Sequence, residues 1–229
     1  MTTRRDLLKA AALGCAGLAV PQLLYPARVR AFEAATGMAA GSRHFEVEAV
    51  ERTTVRVPFR PVPERAMDRE LPHWRYAEIC QVRLRSGAVG VGETLIYYTW
   101  GVTGDEDVAR VQGQNAVELL WDDSLGAGLQ QALFDAVART AEVPIHRLLG
   151  SQANERTPLS WWNIDMPPED MAGECQEALR QGYRAYKTKG RPWFDLWEQV
   201  AQAARGVPET FKIDMDFNET LLDAARAIP

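Results

Sequence analysis

The chain is short of cysteine, with three in 229 residues, too few for the disulfide framework of a small secreted domain. Histidine is equally scarce. His44, His73 and His146 lie far apart without ligand spacing, so none is expected to act in catalysis or to bind a metal. Positive charge is not in excess: Lys+Arg 26 against Asp+Glu 31 gives −5, which argues against general nucleic-acid binding. No long strongly apolar run is present. The uncharged stretch 10–27 is rich in Ala and Gly and is interrupted by Pro21, weak material for a span that needs about 20 apolar residues. Low-complexity tracts and internal repeats are also missing. What remains is an ordinary globular composition, 46% hydrophobic and 25% charged.

The N-terminus does carry a signal. Arg4-Arg5 is followed by Leu7, Leu8 and Lys9 and then by a short uncharged stretch, the pattern of a twin-arginine export signal. Val29-Arg30-Ala31 offers small residues before a cut, so residues 1–31 are expected to be removed and the rest delivered to the periplasm, without stable membrane insertion. Cleavage there removes Arg4, Arg5, Lys9, Arg28 and Arg30 against Asp6, leaving a more acidic chain. Lys9 stands too close to Cys15 for a lipoprotein-type apolar region, and Cys15 would leave with the signal. Cys80 and Cys175 remain, expected as buried free thiols.

Periodicity divides the remainder in two. Residues 44–57 alternate and are rich in β-branched side chains, as a strand does. Residues 58–75 combine prolines with many charges and read as a long loop. Segments 76–84 and 89–98 read as two further strands joined by a tight turn at Ser86-Gly87. Helices are expected over 105–121 and 129–149, the second broken by Pro144. Residues 44–150 are thus expected to form an α+β unit, a small antiparallel meander with linking helices, which the resemblance given below makes a capping domain. From 157 onward strands (157–163, 183–189, 211–218) alternate with helices (169–180, 195–204, and from 219), the pattern of βα units on a parallel sheet. A complete eightfold barrel needs about 250 residues. Residues 157–229 are therefore expected to be the first three βα units of a (β/α)-barrel, and the chain the front part of a longer protein.

The polar residues of the second half fall in a pattern. Side chains alternate along a strand, so Lys187 and Lys189 share a face, as do Lys212, Asp214, Asp216 and Asn218. Both sets lie toward the C-terminal ends of consecutive parallel strands, where barrels build active sites. A salt-bridge cluster at the sheet rim is the competing reading of Lys187 and Lys189 alone. The recurrence of Asp216-x-Asn218 one strand–helix unit later favours a site.

The sequence Ala132-Leu133-Phe134-Asp135 through Pro144 to Leu148-Leu149-Gly150, then Tyr183-Arg184-Ala185-Tyr186-Lys187-Thr188-Lys189, then Asp216-Phe217-Asn218 resembles the enolase superfamily in its mandelate racemase/muconate-lactonizing branch. The resemblance runs from about His44 to the end and rests on the order and spacing of motifs that are each weak alone. It implies a capping domain on a modified barrel that binds Mg²⁺ through three carboxylates, removes the proton next to a substrate carboxylate, and stabilises the resulting enediolate. Lys189 would then be the base and Lys187 its neighbour that contacts the substrate carboxylate or tunes the base. Asp216 would be the first metal ligand, and Asn218 would sit where the motif keeps an Asn, as a substrate-binding residue. Asp214 falls outside the motif. The chemistry is coherent: an ordinary lysine, near ~10.4, is protonated and no base, whereas a neighbouring ammonium and a divalent cation disfavour the charged form.

The resemblance also places substrate selection in the cap loops, here 59–75 and Tyr97-Tyr98-Thr99-Trp100, with Tyr98 and Trp100 as candidate contacts. One of Trp161 and Trp162 is expected to face the barrel. Glu93 and Asp135 are expected to be structural. The expected activity is that of a racemase, epimerase, cycloisomerase or acid-sugar dehydratase on a small carboxylate, in a protein that is a homo-oligomer when full length. The present chain is expected to be inactive, since only one metal carboxylate is in view. Two other classes compete: a Schiff-base lyase using Lys187 or Lys189, which leaves Asp216-x-Asn218 without a role, and a non-catalytic exported binding protein.

Overall fold

The computed structural model describes residues 43–96 and 102–223. The export signal, Tyr98 and Trp100 lie outside the described residues. Two three-stranded sheets organise the chain. The first is antiparallel, in the order β1 (Val47–Arg56), β2 (Tyr76–Leu84), β3 (Val89–Leu95). The expected Ser86-Gly87 hairpin is present: Gly87 has φ 87°, which a glycine adopts freely, and its N–H donates to Leu84 O at 2.8 Å.

The segment expected to be a loop is a helix, α1 (Pro61–Glu70), followed by a 3₁₀ turn at Pro72–Arg75. The prolines mislead because two of them, Pro61 and Pro63, stand in the first helical turn, where a missing N–H costs nothing, and Pro72 lies past the end. Ala66 and Met67 give the helix a buried side among its charges. The long helix expected over 105–121 is two short ones, α2 (Asp105–Val111) and α3 (Ala116–Leu119). Gly113, at φ 76°, separates them, and the Asn115 side chain caps the second by accepting from Val117 N–H. The helix expected to run to Pro144 ends four residues before it, as α4 (Ala127–Thr140), where Glu142 turns left-handed at φ 55°, and a single turn α5 (His146–Leu149) follows Pro144.

Helix α4 covers one face of the sheet. Leu129, Ala132, Leu133, Ala136 and Val137 pack on Cys80, Val82 and Leu84, all buried. The approach is so close that Gly90 and Gly92 of β3 are required. A Cβ at Gly90 would lie 2.1 Å from Ala132 O, and one at Gly92 would lie 2.1 Å from Gly128 O. Asp135 Oδ2 accepts from Val91 N–H and from Arg139 Nε, each at 2.9 Å, so it ties helix to strand. Glu93 is an exposed position on the same strand, as a structural reading requires. Gly92→Ala is expected to destabilise by about 1–3 kcal/mol through overpacking. A chemical-denaturation midpoint equal to that of the unaltered chain would contradict this contact.

The second sheet is parallel, in the order β4 (Trp161–Trp162), β5 (Ala185–Lys189), β6 (Lys212–Asp216). Helices α6 (Pro168–Arg180) and α7 (Leu196–Arg205) join the strands. The first and third strands are shorter than their apolar runs suggested. Beyond β6, positive φ values at Asn218, Glu219 and Leu222 make turns where a helix was expected to start. Met171, Cys175 and Ala178 of α6, Ala203 of α7, Tyr186 and Phe211 form this core. Ala66 and Met67 of α1 belong to it as well, so a helix inserted between two strands of the first sheet packs on the second. Cys80 and Cys175 are both free and buried, in separate cores. Burial, and next the charge of Glu174, push the Cys175 thiol up to about 12, so it is an inert packing group.

Candidate functional site

Parallel pairing places Trp162 beside Lys187, Lys187 beside Asp214, and Lys189 beside Asp216. Residues in register point to one side of the sheet. The intervening residues Trp161, Tyr186 and Ile213 belong to the core under the helices. Lys187, Lys189, Asp214 and Asp216 therefore stand on the opposite face, with Lys189 and Asp216 at the C-terminal ends of β5 and β6.

Three of these groups converge. Lys189 Nζ donates to Asp216 Oδ2 at 2.8 Å, and Lys187 Nζ lies 3.5 Å from the same oxygen. Lys189 is the most enclosed of the three side chains, 15% exposed, against 29% for Asp216 and 38% for Lys187. The other oxygen, Asp216 Oδ1, accepts from Asn218 N–H at 2.9 Å. Asn218 thus reaches the cluster through its backbone, in a left-handed conformation with φ 46° that an asparagine tolerates. Asp214 makes no hydrogen bond or ion pair to the cluster. Its position matches the absence of a motif role.

The Lys189 hydrogen bond, then the Asn218 N–H, then the charges of Lys189 and Lys187 hold the Asp216 carboxyl down to about 2. A carboxyl depressed in the folded state contributes stability above its unfolded value of about 3.9, and that contribution is lost as pH falls toward the folded value. Acid unfolding between about pH 4 and pH 2 should therefore be steeper for the unaltered chain than for Asp216→Asn. Equal slopes in that window would mean that the ion pair does not form.

The sequence reading made Lys187 the neighbour that discharges Lys189. The geometry adds a carboxylate shared by both ammonium groups, which offsets their repulsion. The described residues contain no group of three or more His, Cys, Asp and Glu side chains able to hold a metal ion. Asp216 is the one carboxylate of the cluster, and both its oxygens are engaged. The residues described here do not by themselves make a Mg²⁺ centre.

The cap segment roofs this region. Trp162 stacks on Trp74, with centroids 5.6 Å apart and planes 23° from parallel. It is Trp162, then, that occupies the lysine-bearing face. Trp161 points the other way, its indole N–H donating to Glu174 at 2.9 Å beneath the Arg60 guanidinium. The buried Glu174 gathers Arg60, Trp161 and Asn163 on one oxygen. The sequence reading passed over Glu174, because a Glu in an amphipathic helix pattern looks like a solvent-facing residue. It also passed over Asp165, which is fully buried three residues beyond β4.

A scan against protein-family profiles and a search of curated proteins gave no match. Solved structures do match. A 2-chloromuconate cycloisomerase from Rhodococcus opacus superposes with TM-score 0.60 and 20% identity, covering 80% of this chain and 55% of its own. An N-succinyl Arg/Lys racemase from Bacillus cereus gives TM-score 0.60 and 19% identity, with 80% and 55% covered. A mandelate racemase/muconate lactonizing enzyme from Roseiflexus gives 0.58 and 14%, with 76% and 52% covered. The chain spans about half the length of these structures. Its fold is that of the mandelate racemase/muconate lactonizing structures over that half, in agreement with the motif order read from the sequence.

Proposed function

We propose that Lys189, assisted by Lys187 and Asp216, moves the proton next to the carboxylate of a small organic acid, as part of an isomerase of the racemase and cycloisomerase kind. The observation that carries this reading is the convergence of two ammonium groups and one carboxylate at consecutive parallel strand ends, on a fold shared with such enzymes. Lys187, the more exposed ammonium, is placed to hold the substrate carboxylate by charge. In the neutral form, its proton given up to solvent before substrate binds, Lys189 takes the proton from the α-carbon, and the ammonium so formed can return it. Trp162, stacked on Trp74, borders the site beside Lys187.

Asp216 is the one carboxylate of the cluster that would hold Mg²⁺, whose charge would stabilise the enediolate. Other oxygen ligands have to come from outside the described residues. Titrating Mg²⁺ into the 229-residue chain is expected to give no binding tighter than about 1 mM. A calorimetric titration with a tighter site would show that this chain assembles a centre of its own. The reaction itself is tested by incubating the full-length protein with a panel of carboxylic acids in deuterated solvent and following α-proton exchange by NMR. Exchange that survives unchanged in Lys189→Ala would sink the assignment. Racemisation, cycloisomerisation and dehydration are separated by the products formed. The twin-arginine route to the periplasm is part of the same proposal and is checked by fractionating cells that express Arg4→Lys/Arg5→Lys, which should retain the protein inside.

A further inference from the structure

Asp165 takes no part in the chemistry above, yet it is the most enclosed carboxylate near the site. It follows β4 and is 0% exposed. Oδ2 accepts from the Trp193 indole N–H at 2.8 Å and lies 3.5 Å from Arg69 Nη2, in the last turn of α1. Oδ1 lies 3.8 Å from Arg191 Nε, beyond hydrogen-bond reach, and both of these buried atoms lack a hydrogen-bond partner. Arg69 also pairs with its neighbour Glu70. Burial, and next the neighbouring Asp165 carboxyl, push the Glu70 carboxyl up.

Three chain segments meet on this one side chain: the end of α1, the segment leaving β4, and the loop leaving β5. The last begins directly after Lys189. Gly190 N–H donates to Asp216 O at 3.0 Å. A Cβ on Gly190 would lie 2.6 Å from the Phe217 ring, so the loop is threaded tightly past β6 before Arg191 turns to Asp165. Arg69 lies over the Phe194 ring, 5.6 Å from its centroid, which holds α1 on the same loop. A buried carboxylate lacking full pairing costs stability. A leucine of similar size would avoid that cost and would lose the hold on Arg191, Trp193 and Arg69.

We infer that Asp165 is a positioning residue for the strand-end site, fixing the loop that leaves Lys189 through Trp193 and Arg191 and locking the end of α1 over that loop through Arg69. Lys189 is the final residue of β5 and points to Asp216 through the strand register, so the path of residues 190–193 fixes the strand end that carries it. A displacement of about 1 Å at such a group is enough to cost two orders of magnitude in rate. The inference deepens the proposed function and rests on Lys189 being the proton-moving group, but its direct readout does not depend on a reaction.

The experiment is trace acetylation of the full-length protein with acetic anhydride across a pH series, with Lys189 quantified by peptide mass spectrometry against the exposed Lys212. Asp165→Ala is expected to raise the Lys189/Lys212 labelling ratio about tenfold and to shift its pH profile. Asp165→Asn, which keeps an oxygen for Trp193, is expected to fall between. Arg191→Gln removes the loop partner from the other side and should move the ratio in the same direction, even if Asp165→Ala does not fold. A general loosening would also raise the ratio, because Lys212 is already exposed, and is told apart by a lowered thermal midpoint in the same variant. An unchanged ratio in folded Asp165→Asn and Arg191→Gln overturns the positioning role. By contrast, a changed ratio together with exchange that survives Lys189→Ala overturns the proposed reaction and leaves the positioning role standing.

Discussion

Lys189→Ala is expected to lower α-proton exchange by the full-length protein by about 10²–10⁴-fold, the usual contribution of a positioned acid–base group. The size follows from the placement. Lys189 is the enclosed member of the pair, at 15% exposure, and its ammonium is held at hydrogen-bond distance from Asp216. Lys187 is farther from that carboxylate and more exposed, so its removal should act mainly on substrate binding, raising KM more than it lowers kcat. Lys189→Arg is the sharper control. It keeps a cation for Asp216 but supplies a group that does not give up its proton, so folding should be retained while exchange is lost. If Lys189→Arg exchanges protons as the unaltered protein does, Lys189 serves only as a counter-ion. In that case the salt-bridge reading of the lysine pair is correct.

The largest expected loss of stability is at Glu174. Its buried carboxylate accepts from the Trp161 indole at 2.9 Å, from the Asn163 amide at 2.8 Å and from Arg60. Glu174→Ala leaves two enclosed donors with no acceptor, each costing about 1–3 kcal/mol. Arg60 is 44% exposed on its side chain and can turn to water, so its charge adds little. A total of about 3 kcal/mol is expected. Glu174→Gln retains an oxygen for the two donors and should recover most of it. Because Arg60 precedes α1, the alanine variant should also loosen the cap segment over Trp162, visible as faster proteolysis within 58–75. Thermal melting of Glu174→Ala within about a degree of the unaltered chain would contradict the hub.

The two parts of the site differed in how far they could be read in advance. Lys187, Lys189 and Asp216 were legible because strand periodicity is two and because βα units bring successive strand ends together, so sequence spacing converts directly into a shared face. The same rule identified Trp161 and Trp162 as opposites without saying which faces the lysines. Asn218 was found through its motif, but it joins the cluster by a backbone N–H, a role indifferent to the side chain that drew attention to it.

Tertiary structure decided the rest. Residues 58–75 read as a loop because prolines and charges dominate them. What makes them a helix is the burial of Ala66 and Met67 in a core whose other buried members start at Ile164, and no local window contains that contact. Glu174 and Asp165 escaped notice for the same reason. Their partners Arg60, Arg69, Arg191 and Trp193 come from other segments, and a carboxylate in a sequence does not announce that it will be enclosed. The amino-acid order by itself determined the strand–helix rhythm, the turn at Ser86-Gly87 and the polar face of β5 and β6, since each depends on the pattern of a few neighbouring residues. Which charges are buried, which cations hold them, and that the cap helix packs on the second sheet were decided only when distant segments met, because burial and pairing are properties of that meeting.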